Sequence, residues 1–231
     1  MARPKRYKLG YPGVTSVIGI LDKPFLIPWH RKIWKILVAD MFKKMNMSLP
    51  MKEIIEGINP FVECDRIKKE SQDIGHDVHG ALENWLKGAT FEEVTKDLSL
   101  NEIGMLTKFV NGCKKHGFKP KPEDLERTVY CHDRKFAGTL DAKIIGLIAD
   151  WKTDRTPTDE AQEREVRFKY GLQNAGYAIA VEEEDGEEIN RAVTIRVSKD
   201  QEYAEYWFED LTEYKRLFLN LREIYFNVRG K

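Results

Sequence analysis

The strongest constraint on the fold is a change of hydrophobic period near residue 120. Before it, apolar residues recur at three- and four-residue intervals; after the break Lys119-Pro120-Lys121-Pro122 come short runs rich in Val, Tyr, Ile and Leu. The first spacing puts side chains on one helix face, and the second suits strands. Trp29 to Phe42 is expected to be helical, with apolar residues at 33, 34, 37, 38, 41 and 42. A second helix is expected from near Arg66, with Ile67, Ile74, Val78, Leu82, Trp85 and Leu86 inward and a stop at Gly88. Phe91 to Cys113 reads as one or two more, and Thr15-Ser16 can cap a short helix over 15–21. Strands are expected over Glu126–His132, Lys135–Ile145 and Leu147–Thr153, with Gly146 at the turn. Helical spacing returns over Glu163–Val181, followed by a solvated acidic turn Glu182–Glu188, a strand Ala192–Val197 and a last helix from about Phe208 to Phe226.

Helices before and after a small sheet indicate an α/β domain. With no internal repeat or Gly/Ser linker, residues 1–231 read as one domain: 1–115 mainly helical, 120–231 sheet and flanking helices. Hydrophobic residues at 42% suffice for a core. No apolar run approaches the ~18–20 residues of a bilayer span, and no signal-peptide core follows the basic N-terminus, so a cytoplasmic protein without membrane partners is expected. Cys64, Cys113 and Cys131 are too scattered for a disulfide framework or a Cys-x-x-Cys site. Formal charge is zero, but residues 1–52 carry eleven Lys and Arg against Asp22 and Asp40, a net +9 that the remainder offsets.

The chemistry concentrates in Gly138-Thr139-Leu140-Asp141 and, nine residues on, Asp150-Trp151-Lys152-Thr153. Residues two apart in a strand share a face, so Asp150 and Lys152 project together, opposite Ala149 and Trp151. A hairpin turning at Gly146 brings Asp141 close to Asp150. Adjacent carboxylates repel and lose hydration, a conflict that a divalent cation resolves. Oxygen ligands suit Mg²⁺ or Mn²⁺, which act on phosphate esters by activating water and neutralising charge, with Lys152 assisting. The plainer alternative is a surface Asp-x-Lys ion pair with Asp141 as a turn residue.

Four ordered elements make the sequence resemble the PD-(D/E)XK nuclease superfamily, in its RecB-like branch. These are Gly75-His76-Asp77-Val78-His79 with Leu82-Glu83, then Gly138 to Asp141, then Asp150 to Thr153, then Gln173 with Tyr177 as Gln-x-x-x-Tyr. Val14 to Ile18 with Trp29 is similar to stand-alone phage-type exonucleases. The resemblance implies a restriction-endonuclease-like core, a small central mixed β-sheet flanked by helices with a helical N-terminal part. It implies a Mg²⁺- or Mn²⁺-dependent deoxyribonuclease, most simply an exonuclease acting on DNA ends, favouring single strands and leaving 5′-phosphates, in replication, recombination or repair. The alternatives are a structure-specific endonuclease or a non-cleaving DNA-binding protein on the same fold.

By that resemblance His79, Asp141, Asp150 and the Trp151 carbonyl are metal ligands, Asp141, Asp150 and Lys152 are catalytic, and Gln173 and Tyr177 bind or position DNA. The basic, aromatic Trp29, Arg31 and Lys32 suit phosphates and unpaired bases. Glu83 is a substitute ligand or a solvated residue, and Glu126 an extra acid near the site or a solvated strand end. His79 reads equally as a helix-boundary histidine, Gln173 and Tyr177 as core-edge polar groups, and the basic N-terminus as a solubilising tail over an amphipathic helix. No cysteine follows Cys131, so the iron–sulfur cluster of some relatives is not expected.

Overall fold

Helix α1 (Val14–Ile18), α2 (Pro60–Leu86), α3 (Phe91–Thr95) and α4 (Leu100–His116) precede the first strand. Thr90 with Glu93 and Ser99 with Glu102 form capping boxes at α3 and α4, each hydroxyl accepting from an orphan backbone N–H while the glutamate reaches back. This computed structural model describes residues 9–21, 36 and 60–229, so the expected helix from Trp29 to Phe42, with Trp29, Arg31 and Lys32, lies outside the described residues. The chain divides into two compact units, residues 1–20 with 77–231 and residues 21–76. In the second, the described helical stretch carries an Arg66–Glu70 pair at 3.3 Å and a Ser71 hydroxyl donating to the Ile67 carbonyl at 2.9 Å.

The first unit holds the sheet. Its strands are β1 (Leu125–Cys131), β2 (Phe136–Ile144), β3 (Leu147–Lys152), β4 (Arg191–Val197) and β5 (Tyr203–Phe208), ordered β1-β2-β3-β4-β5 among the described residues. β1/β2, β2/β3 and β4/β5 are antiparallel and β3/β4 parallel. The sheet is therefore mixed, and with its helices the fold is α/β. Parallel neighbours need a crossover, and α5 (Glu160–Asp185) provides it, lying across β1 to β4. Helix α6 (Thr212–Arg229) packs on α5, and α1 on α5, α6 and β2. Phe136 and Phe218 meet edge to face at 5.0 Å in this core, both fully buried, and each such ring stabilises by roughly 1.5–3 kcal/mol. Gly146 has φ 69°, the left-handed geometry that lets β2 turn directly into β3.

Three expectations need correction. Tyr203–Phe208 is a strand, and the final helix begins at Thr212, not Phe208; Gln201 at φ 64° turns the chain so that alternating Tyr203, Glu205 and Trp207 can pair with β4. Helix α2 starts at Pro60, before Arg66. The acidic run 182–188 is not a solvated turn: its first four residues complete α5, and its carboxylates grip the sheet edge. Arg127 donates to Asp185 at 2.5 and 2.8 Å and to Glu184 at 3.0 Å, and Lys143 reaches Asp185 and Glu187, each at 2.7 Å. Glu184 also accepts the Tyr130 amide at 2.8 Å, and Glu183 the His132 amide at 2.5 Å.

Hydrogen bonds from Arg127, then Lys143, hold the Asp185 carboxyl far below the usual carboxylate range. A depressed folded-state pKa stabilises above the unfolded-state value and is lost as pH falls through the folded one. Asp185→Asn is expected to cost about 1–3 kcal/mol at pH 7, leaving Arg127 and Lys143 short of a charged acceptor. The gap to wild type should narrow below pH ~4, as urea melts across pH will read.

Candidate metal centre

Strand register assembles the site within the first unit. Leu125 opposes Ala142 and Arg127 opposes Leu140, so Glu126 stands across from Asp141. Glu126 holds φ 47°, a left-handed conformation that a strand residue other than glycine rarely adopts. On the other side Ala142 pairs with Ala149 of β3, and one step on, the Asp141 Oδ2 accepts the Trp151 amide at 2.6 Å. From α2, His79 brings Nδ1 to 4.0 Å from Asp141 Oδ1, and its ring meets the edge of Phe109 at 6.4 Å.

His79, Glu126 and Asp141 thus converge, each offering a ligand atom within 4.8 Å of the others'. A cation with bonds of about 2.1–2.4 Å can bridge such separations. One imidazole and two carboxylates fit a divalent ion, and the Trp151 amide fixes Asp141 from behind, as outer-shell donors do for ligating carboxylates.

Asp150 and Lys152 form a second, deeper cluster beside this one. The Lys152 ammonium lies 2.7 Å from both Asp150 oxygens and 3.4 Å from the Trp151 carbonyl. Asp150 Oδ1 also accepts from Gln173 at 3.2 Å, and Oδ2 from the Thr194 hydroxyl at 3.5 Å. The Asp150 side chain is 1% exposed and the Lys152 side chain 19%. Burial raises the Asp150 carboxyl to about 6, against the pull of Lys152 and with Asp141's repulsion adding to it. Burial works against the Lys152 charge, yet Asp150 and Asp141 together hold its pKa above the ordinary lysine value.

Gln173 and Tyr177 belong to the same network, since Gln173 donates to the Tyr177 oxygen at 2.9 Å as well as to Asp150. The Tyr177 ring lies against Gly138, where an added Cβ would come within 2.6 Å of its Cε1. The glycine of Gly138-Thr139-Leu140-Asp141 thus leaves the room that seats Tyr177, hence Gln173, hence Asp150. Thr194, opposite Asp150 in the parallel register, and buried Asn174, which donates to Thr194 at 2.9 Å, complete the network. Neither was singled out from the sequence, although Thr194 is a hydroxyl between Val193 and Ile195 in an otherwise apolar run. The Trp151 ring points the other way, against Phe109 and Phe118, each at 6.4 Å. Glu83 pairs with Lys87 at 2.5 Å and is not part of the His79 group.

Gly138→Ala is expected to lower stability by about 1–3 kcal/mol through overpacking. In a Tyr177→Ala background the same change should cost measurably less, because the two sites touch; a double-mutant cycle of thermal melts checks this.

No family model matches the sequence, and no curated protein matches it. Among solved structures, a Eubacterium rectale protein provisionally named an exonuclease is distantly similar, at 14% identity and a TM-score of 0.43, over 64% of this chain and 62% of that one. The chain thus spans under two thirds of that protein's length. Among the described residues, no helix is long and apolar enough to cross a membrane.

Proposed function

We propose that the chain is a divalent-metal-dependent DNA nuclease that hydrolyses phosphodiester bonds from DNA ends. One observation carries the reading: a metal-fitting trio, His79, Glu126 and Asp141, adjoins a buried Asp150–Lys152 pair whose ammonium lies 2.7 Å from both carboxylate oxygens. The likeness to the RecB-like branch supports the substrate class.

His79, Glu126 and Asp141 would hold the ion. The chemistry such an ion supplies when bound is Lewis acidity and a water of lowered pKa. Lys152 has three donors and uses some on Asp150, which leaves the ammonium held in place and able to donate to a phosphate oxygen or to orient a water. Asp150 keeps that ammonium charged and aimed. Gln173 and Tyr177 fix Asp150, while Trp29, Arg31 and Lys32 would contact the DNA backbone and unpaired bases. An imidazole donor favours Mn²⁺ over Mg²⁺, which prefers oxygen throughout.

Digestion of end-labelled linear and closed circular single-stranded DNA tests the reading. Linear DNA is expected to be degraded with Mn²⁺, more slowly with Mg²⁺, and not in EDTA, while circular DNA survives. Cutting of the circle would replace the exonuclease with an endonuclease, and no metal-dependent cutting would sink the proposal. Lys152→Ala is expected to slow cleavage by about 10²–10³-fold, the usual loss of a preorganised charge donor, with DNA binding retained in a gel-shift assay.

A further inference from the structure

A buried cation beside the site belongs to neither cluster. Arg196 stands opposite Lys152 in the parallel β3/β4 register and, two residues on from Thr194, projects to the same face as Asp150 and Lys152. It is 4% exposed. Lys152 is balanced by Asp150, whereas among the described residues no carboxylate lies within ion-pair distance of Arg196. The nearby acids are engaged elsewhere: Asp154 accepts from the Tyr170 hydroxyl at 3.0 Å, and Glu163 acts on the Tyr206 hydroxyl. A buried charge without a counter-charge is costly to keep.

Its hydrogen bonding is incomplete as well. A guanidinium has five N–H donors. One nitrogen of Arg196 donates to the Arg155 carbonyl at 3.0 Å, the planar group lies 5.9 Å from the Tyr206 ring centre, and Nε is buried with no acceptor. Arg155 belongs to residues 153–159, which join β3 to α5, and the next hydroxyl along, that of Thr156, is also buried without a partner. Both orphaned groups can donate to an anion. Residues 154, 155, 158 and 159 are exposed, so the carbonyl that caps the guanidinium is carried by a surface segment. The carboxyl ends of parallel strands joined by a crossover helix are, besides, a common place for ligands in such sheets.

We propose that Arg196 is a DNA-binding residue: a phosphodiester oxygen of the bound strand, next to the phosphate that Lys152 meets, takes the place of the Arg155 carbonyl on its guanidinium. A charged oxygen is a stronger acceptor than a neutral carbonyl, and it brings the counter-charge that the protein does not supply. Such a contact holds the strand in register and reads no base. The subsite rests on the nuclease reading for its substrate class, though binding alone tests it.

The test is fluorescence anisotropy of a labelled single-stranded oligonucleotide with the full chain in EDTA, over a range of salt concentrations. Arg196→Met keeps an apolar stem against Tyr206 and removes the charge. It is expected to weaken binding by about tenfold or more, the usual loss of a hydrogen bond to a charged group. It should also flatten the plot of log affinity against log salt by about 0.7, the share of one phosphate contact on a single strand. Arg196→Lys, which restores the charge, should return the slope to the wild-type value. A folded Arg196→Met protein with the wild-type slope overturns the proposal, since a residue that only braces the 153–159 segment changes affinity without changing counterion release. If Arg196→Met does not fold, the Nε–H resonance of Arg196 in ¹⁵N-labelled wild-type protein decides: it should shift when the oligonucleotide is added, and an unmoved resonance overturns the proposal. Wild-type protein that binds the oligonucleotide through Arg196 without cutting DNA defeats the nuclease reading and leaves the subsite standing. Wild-type protein that cuts DNA while Arg196→Met keeps the full slope does the reverse.

Discussion

The ion pair between Asp150 and Lys152 organises the sheet-bearing unit of the molecule. A carboxylate and an ammonium at the end of a core strand are tolerable only if each satisfies the other and the remaining lone pairs find donors. Those donors come from Gln173 on α5 and Thr194 on β4. The parallel β3/β4 pairing and the crossover helix that permits it are therefore also what make the pair affordable. Removing either partner would leave a buried charge, so the pair constrains the fold.

Around this pair the site is built in tiers. The Trp151 amide turns Asp141 toward His79, the Tyr177 ring occupies the room left by Gly138, and Gln173 links that ring to Asp150. The motif residues are thus coupled to one another, and several act through a neighbour. Phe109 joins the tiers from below, meeting His79 on one side and Trp151 on the other.

Much of this was legible in the sequence for identifiable reasons. The first three strands read within a residue or two because β-rich segments flank a glycine turn and Pro120 and Pro122 end the helical part. That Asp150 and Lys152 are neighbours followed from strand alternation, and that Asp141 joins them followed from a hairpin turn at Gly146. Tyr203–Phe208 did not, because aromatic residues also suit a helix face and its strand character depends on pairing with β4. Nor was the role of the acidic run 182–188 legible, because its counter-charges Arg127 and Lys143 lie about 40 to 60 residues away along the chain. Glu126 was visible as an acid at a strand end, but only the β1/β2 register sets it across from Asp141.

The acidic end of α5 has a further consequence for β1. That strand is an outer member of the sheet, with a flank of amides that in many proteins would recruit a neighbouring chain. Here the carboxylates of Glu183 and Glu184 occupy the amides of His132 and Tyr130, acting as a side-chain surrogate for a missing sixth strand. The helix that crosses over the sheet therefore also occupies amides at the Cys131 end of β1 through which a neighbouring chain could otherwise extend the sheet.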